Sequence, residues 1–119
     1  MSKFGNHAVA GFDSKKEMRR YSQLVILQKL GKISNLKRQV SFELLPAQKI
    51  NGKVAEHAVT YIADFVYDEP YASADLENRW DSWRQVVEDV KSEITKKLPV
   101  YIIKRKLMLF VHKIQIKET

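Results

Sequence analysis

Apolar and polar positions alternate with two different periods along this chain, and the switches between them outline its elements. From Ser14 to about Leu30, Met18, Tyr21, Leu24, Val25 and Leu27 recur at helical spacing. Ser14 followed by Glu17 has the form of a capping box, and Gly31 is a natural stop. The next segment, Leu36 to Ala47, reads as a strand, and Val54 to Tyr67 as its return, with Asn51-Gly52 between them as a hairpin signal. Residues 68–82 have no clear period and read as a long connection. "WRQVVEDVK", 83–91, gives a third strand, Pro99 opens a helix to about Phe110, and "VHKIQI", 111–116, closes as a strand. The expected fold class is α+β: one domain over 1–119, with a central mixed β-sheet flanked by helices in the order α-β-β-β-α-β.

Charge interrupts two of these strands where dry surface is expected. In "TYIADFVY", Ile62, Asp64 and Val66 share one face and Tyr61, Ala63, Phe65 and Tyr67 the other, so both faces are apolar apart from Asp64. An unpaired carboxylate there costs several kcal/mol. In the third strand Val87, Asp89 and Lys91 share a face, Glu88 takes the opposite one, and Asp89 and Lys91 stand roughly 7 Å apart. If the two strands are neighbours, Asp64, Asp89 and Lys91 converge. Two acids and a lysine suit a divalent-metal site for phosphodiester hydrolysis, and equally a structural ion pair at a strand end.

Composition narrows the partners. The 119 residues carry 21 Lys and Arg against 14 Asp and Glu, a formal charge of +7, which favours a polyanion, with nucleic acid leading. No apolar run approaches the roughly 20 residues that span a bilayer, and the N-terminal stretch lacks a signal-peptide core, so no membrane partner and a cytoplasmic location are expected. Without cysteine, and with only His7, His57 and His112, a resident metal would be a hard one held by oxygen. Lys15, Lys16, Arg19 and Arg20 on the first helix, and Lys104, Arg105 and Lys106 on the second, are candidate phosphate contacts or simply solvated faces. Trp80 and Trp83 read as core or interface before base stacking, Tyr101 as packing or phosphate contact, and Gln39 as a minor support.

The stretches "FDSKKEMRRY", "FELLPA", "TYIADFVY", "VVEDVK" and "PVYIIKRKLMLF" together resemble the PD-(D/E)xK nuclease superfamily. They resemble in particular a phage-encoded family of unknown function predicted to be endonucleases. The resemblance runs from about Phe12 to Ile116 and implies a restriction-endonuclease-like core. By position it implies Asp64, Asp89 and the Val90 carbonyl as ligands of Mg²⁺ or Mn²⁺, and Lys91 as the group that orients the attacking water. Glu17 would be the first-helix acid, although a helix cap also explains it. Ala63 and Ser92 stand where such sequences often have proline and glycine, and the 68–82 connection is longer. The implied activity is metal-dependent cleavage of DNA, such as resolution of branched DNA in the host cytoplasm, by a symmetric homodimer. The alternative is a non-catalytic nucleic-acid-binding or interaction protein on the same fold.

Overall fold

In the computed structural model, which describes residues 14–71 and 82–119, helix α1 runs Lys15–Lys29 behind Ser14. Ser14 is extended, and its Oγ accepts the Glu17 amide at 3.1 Å, satisfying one of the donors that a helix start leaves open. At the far end Gly31 takes φ 75°. The Gly31 and Lys32 amides return to the Gln28 and Leu27 carbonyls at 3.0 and 2.9 Å, the paired bonds of a Schellman stop. Both helix ends fall where the pattern put them.

The strands are β1 (Ser34–Leu45), β2 (Gln48–Ile50), β3 (Lys53–Glu56), β4 (Val59–Tyr71), β5 (Ser82–Asp89) and β6 (Lys117–Glu118), with a short 3₁₀ turn at Thr95–Lys97 and helix α2 at Pro99–His112. They form a mixed four-stranded sheet of order β1-β4-β5-β6 and a two-stranded β2-β3 ribbon, so the fold is α+β as expected. The one long hairpin of the sequence reading is built in two parts. Ile50 pairs with Lys53 around Asn51 and Gly52, whose φ values of 52° and 77° are those of a type I′ turn, and β1 lies beside β4 in the larger sheet.

Two chain segments depart from the expected boundaries for physical reasons. The third strand stops at Asp89 rather than Lys91: the Val90 amide goes to the Asp64 carboxylate at 2.8 Å, while the Lys91 amide still reaches the Thr119 carbonyl at 3.0 Å. The expected strand 111–116 does not form: α2 continues through His112 and stops at Lys113, which is left-handed at φ 59° with its amide on the Leu109 carbonyl. A lysine in that conformation costs about 1 kcal/mol and leaves no glycine to mark the stop. The closing strand is two residues, parallel to β5, with Glu88 opposite Lys117 and Asp89 opposite Glu118. β4 also runs past Tyr67 into the segment expected to be a connection.

The chain divides into two compact units, residues 1–37 with 65–86 and residues 38–64 with 87–119. In the first, Leu24, Ile33, Phe65, Val66 and Tyr67 are buried, and Tyr21 stacks on Phe65 with ring centroids 6.1 Å apart. In the second, Leu44, Tyr61, Ala63, Val87, Tyr101, Met108 and Ile116 are buried. Tyr101 and Met108, two helical turns apart, share the inward face of α2, and Val100, Ile103 and Phe110 on other faces are exposed. Among the described residues no helix is long and apolar enough to cross a membrane.

Candidate functional site

The second unit brings together the acids and the lysine that the sequence singled out. Asp64 sits on β4, an interior strand of the sheet, and its Oδ2 accepts the Val90 amide at 2.8 Å. That bond ties the carboxylate to the end of β5, where Asp89 is fully buried. Asp89 Oδ2 accepts the Tyr61 hydroxyl at 2.5 Å and lies 3.1 Å from Lys91 Nζ. Asp89 Oδ1 is buried with no hydrogen-bond partner. One oxygen thus carries two donors while its twin carries none.

Electrostatics follow from that geometry. Burial, ahead of the neighbouring Asp64 carboxyl, pushes Asp89 up to about 7, against the Tyr61 hydrogen bond and the Lys91 charge, which pull it down. The two carboxyls can bond each other only when one holds a proton; with both ionised they repel. Burial and the Asp89 charge drive the Tyr61 phenol far up, so it remains a donor. The Lys91 ammonium also lies over the Tyr101 ring, 4.9 Å from its centroid, a cation–π contact that helps hold the side chain in place. Tyr101 in turn donates to Glu118 Oε2 at 2.7 Å, and burial with that bond pushes its phenol up as well.

The remaining expected residues are distributed as follows. Glu17 is buried in α1 of the first unit, where its amide is on Ser14 Oγ. Lys15, Lys16, Arg19 and Arg20 are on the same helix, and Arg20 donates to Gln23 Oε1. Lys104 and Lys106 lie on different faces of α2: Lys104 lines a cavity with Lys91, and Lys106 lines another with Glu118. Val90 meets the site through its amide. Gln39, in a left-handed conformation at φ 52° within β1, reaches Asp64 Oδ1 at 3.5 Å. Trp83 is half-exposed rather than core, and Trp80 lies outside the described residues.

Tyr61 is the residue that sequence reasoning missed. Strand alternation assigns it to the face opposite Asp64 and so to the core. It is indeed buried, but its phenol is long enough to reach the carboxylate at the end of β5. A phenol among aliphatic core positions was the available signal, since a buried hydroxyl needs a partner.

Among the described residues no three His, Cys, Asp or Glu side chains gather into a group that could hold a metal ion. The second unit offers two carboxylates, one with an unpartnered buried oxygen. That donor set fits Mg²⁺, which binds through one or two carboxylates and keeps several of its waters. Fold and site therefore define an α+β protein with a buried aspartate, a second carboxylate beside it and an adjoining lysine. Residues 2–118 match the family described as Protein of unknown function (DUF1064), and the chain belongs to that family. No curated protein and no solved structure matches it.

Proposed function

We propose that this chain is a metal-dependent endonuclease of the PD-(D/E)xK type that hydrolyses DNA phosphodiester bonds. The observation that carries the proposal is Asp89 Oδ1, a buried carboxylate oxygen with no donor, beside Asp64 and Lys91. A buried carboxylate oxygen that no protein donor reaches is completed by an ion, a water or a proton shared with a neighbouring carboxyl, and the adjoining Asp64 and Lys91 favour a hydrated cation here. Asp64 and Asp89 would hold Mg²⁺ or Mn²⁺, which when bound supplies a Lewis acid for a phosphate oxygen and an acidified water.

The chain's own groups perform the rest. Tyr61 and Lys91 fix the orientation of Asp89 by bonding one oxygen and leaving the other open. Lys91 is only 19% exposed, so its charge acts at low dielectric on a phosphate oxygen or on the attacking water. The Val90 amide holds the Asp64 carboxylate against the end of β5. Glu17, the first-helix acid of the resemblance, meets the Ser14 cap through its main-chain amide, so Glu17→Gln keeps that bond. Cutting both strands of a branched substrate would take two copies related by a two-fold axis.

The test is incubation with plasmid, single-stranded and four-way-junction DNA in Mg²⁺, Mn²⁺ or EDTA, beside Asp89→Ala and Lys91→Ala. Metal-dependent product that disappears in both variants supports the enzyme. Salt-sensitive binding with no product in any metal leaves a non-catalytic nucleic-acid-binding protein instead.

A further inference from the structure

A cavity of about 340 Å³ opens beside Lys91 in the second unit. Its lining includes three aliphatic side chains, Ile62, Leu98 and Val100, which remain 54%, 49% and 65% exposed, beside Thr60, Tyr61 and Tyr101. The opposite chemistry comes from two cations, Lys91 and Lys104, and no acid is among its described lining residues. Ile62 is on the same β4 face as Asp64, the face the sequence pattern expects to be covered, and here it is open. Apolar surface left uncovered next to paired cations suits a ligand that is itself half apolar plane and half anion.

An unpaired nucleotide has that make-up. We infer that this cavity receives a nucleotide unstacked from its strand, its base against Ile62, Leu98 and Val100 and its phosphate toward Lys91 and Lys104. The inference rests on the proposed nuclease reading, because Lys91, the cation paired with Asp89, also lines the cavity. The volume suits a single nucleoside rather than a base pair, so a strand must present its base free of the duplex to enter. The substrate class is therefore DNA with an unpaired segment, such as a single strand, a flap or an open junction, in preference to continuous duplex.

Binding in EDTA separates this inference from the chemistry. A fluorescent single strand of about 16 nucleotides and a hairpin duplex of the same sequence are titrated with wild type, Val100→Asp, Lys104→Ala and Phe110→Asp. Val100 is at the start of α2, where an acid suits the helix dipole, so Val100→Asp should fold. Phe110, 73% exposed on α2 and not among the cavity's lining residues, is the control. Wild type should bind the single strand about tenfold tighter than the duplex, and Val100→Asp and Lys104→Ala should each lose about tenfold on the single strand, with Phe110→Asp unchanged. A 2-aminopurine base in the strand should brighten on binding wild type and not Val100→Asp. Equal affinity for strand and duplex, or a Val100→Asp loss that is the same on both, overturns the inference. Metal-dependent cleavage of duplex by such a protein would leave the nuclease reading intact. Single-strand preference lost in Val100→Asp, with no metal-dependent product on any substrate, supports the cavity and removes the nuclease.

Discussion

Glu88 and Asp89 are consecutive carboxylates at the end of β5, both fully buried, on opposite faces of the strand. Glu88 is satisfied on both sides: Oε2 accepts the Thr119 hydroxyl at 3.2 Å, and Oε1 lies 3.9 Å from Lys117 Nζ. Asp89 has Tyr61 and Lys91 on a single oxygen, and its other oxygen is bare. Glu88 is arranged as a carboxylate that fastens β6 to β5. Asp89 is arranged the other way, with both donors on one oxygen, and burial and the neighbouring Asp64 carboxyl oppose its charge.

The largest contrast should appear in cleavage. Lys91→Ala should reduce the initial rate on single-stranded or junction DNA in Mg²⁺ by about 10²–10⁴-fold, whereas Lys117→Ala, the lysine beside Glu88, should change it by less than about threefold. Gel-resolved initial rates decide this. Similar losses in both variants would erase the distinction between the two carboxylates.

Stability should respond with opposite signs. At pH 8 in EDTA, Asp89→Asn removes a charge that burial and Asp64 oppose, and urea unfolding should show a gain of about 2–4 kcal/mol. Glu88→Gln weakens a satisfied group and should cost about 1–2 kcal/mol. A loss in both variants would make Asp89 an ordinary structural acid.

The pH dependence sharpens the same contrast. Asp89 is raised from the ordinary aspartate value of 3.8 to about 7 in the fold, so the folded protein binds this proton more tightly than the unfolded chain does. Its contribution is fully present below about pH 4 and is lost as pH rises through about 7, with a slope of at most about 1.4 kcal/mol per pH unit. The stability of wild type relative to Asp89→Asn should fall across that window in EDTA, and saturating Mg²⁺ at pH 8 should restore part of the wild-type loss. A difference that is flat from pH 4 to 8 would contradict it.

Tyr61→Phe should give the smallest effect, a loss of about 1 kcal/mol by thermal or urea unfolding. Removing the phenol also removes a donor that holds Asp89 down, so the Asp89 midpoint should move upward. An unmoved midpoint would mean that Lys91 alone orients the carboxylate.

Local chemistry was legible wherever one residue type decides a conformation. Ser14 and Gly31 bound α1, and Asn51-Gly52 turns the β2-β3 ribbon, because capping and positive φ are properties of the residues themselves. The end of α2 was not legible, since Lys113 takes a left-handed stop that lysine does not announce. Nor was the end of β5, where the Val90 amide goes to a long-range carboxylate. Asp64, Asp89 and Lys91 stood out as charges where the pattern asks for dry surface. Tyr61 did not, because alternation gives the face a side chain leaves from and not how far it reaches.

By itself, then, the sequence determined the α+β class, the first helix with both its ends, the tight turn and the charged residues that had to find partners. Tertiary structure alone decided that Asp89 keeps one oxygen bare, that Lys104 joins Lys91 at a cavity while Lys106 does not, and that Ile62 lies open beside them. The physical reason is range: caps and turns are settled within a few residues of chain, whereas the partners of a buried charge come from strands and helices distant in sequence, and only their packing fixes which oxygen is left without one.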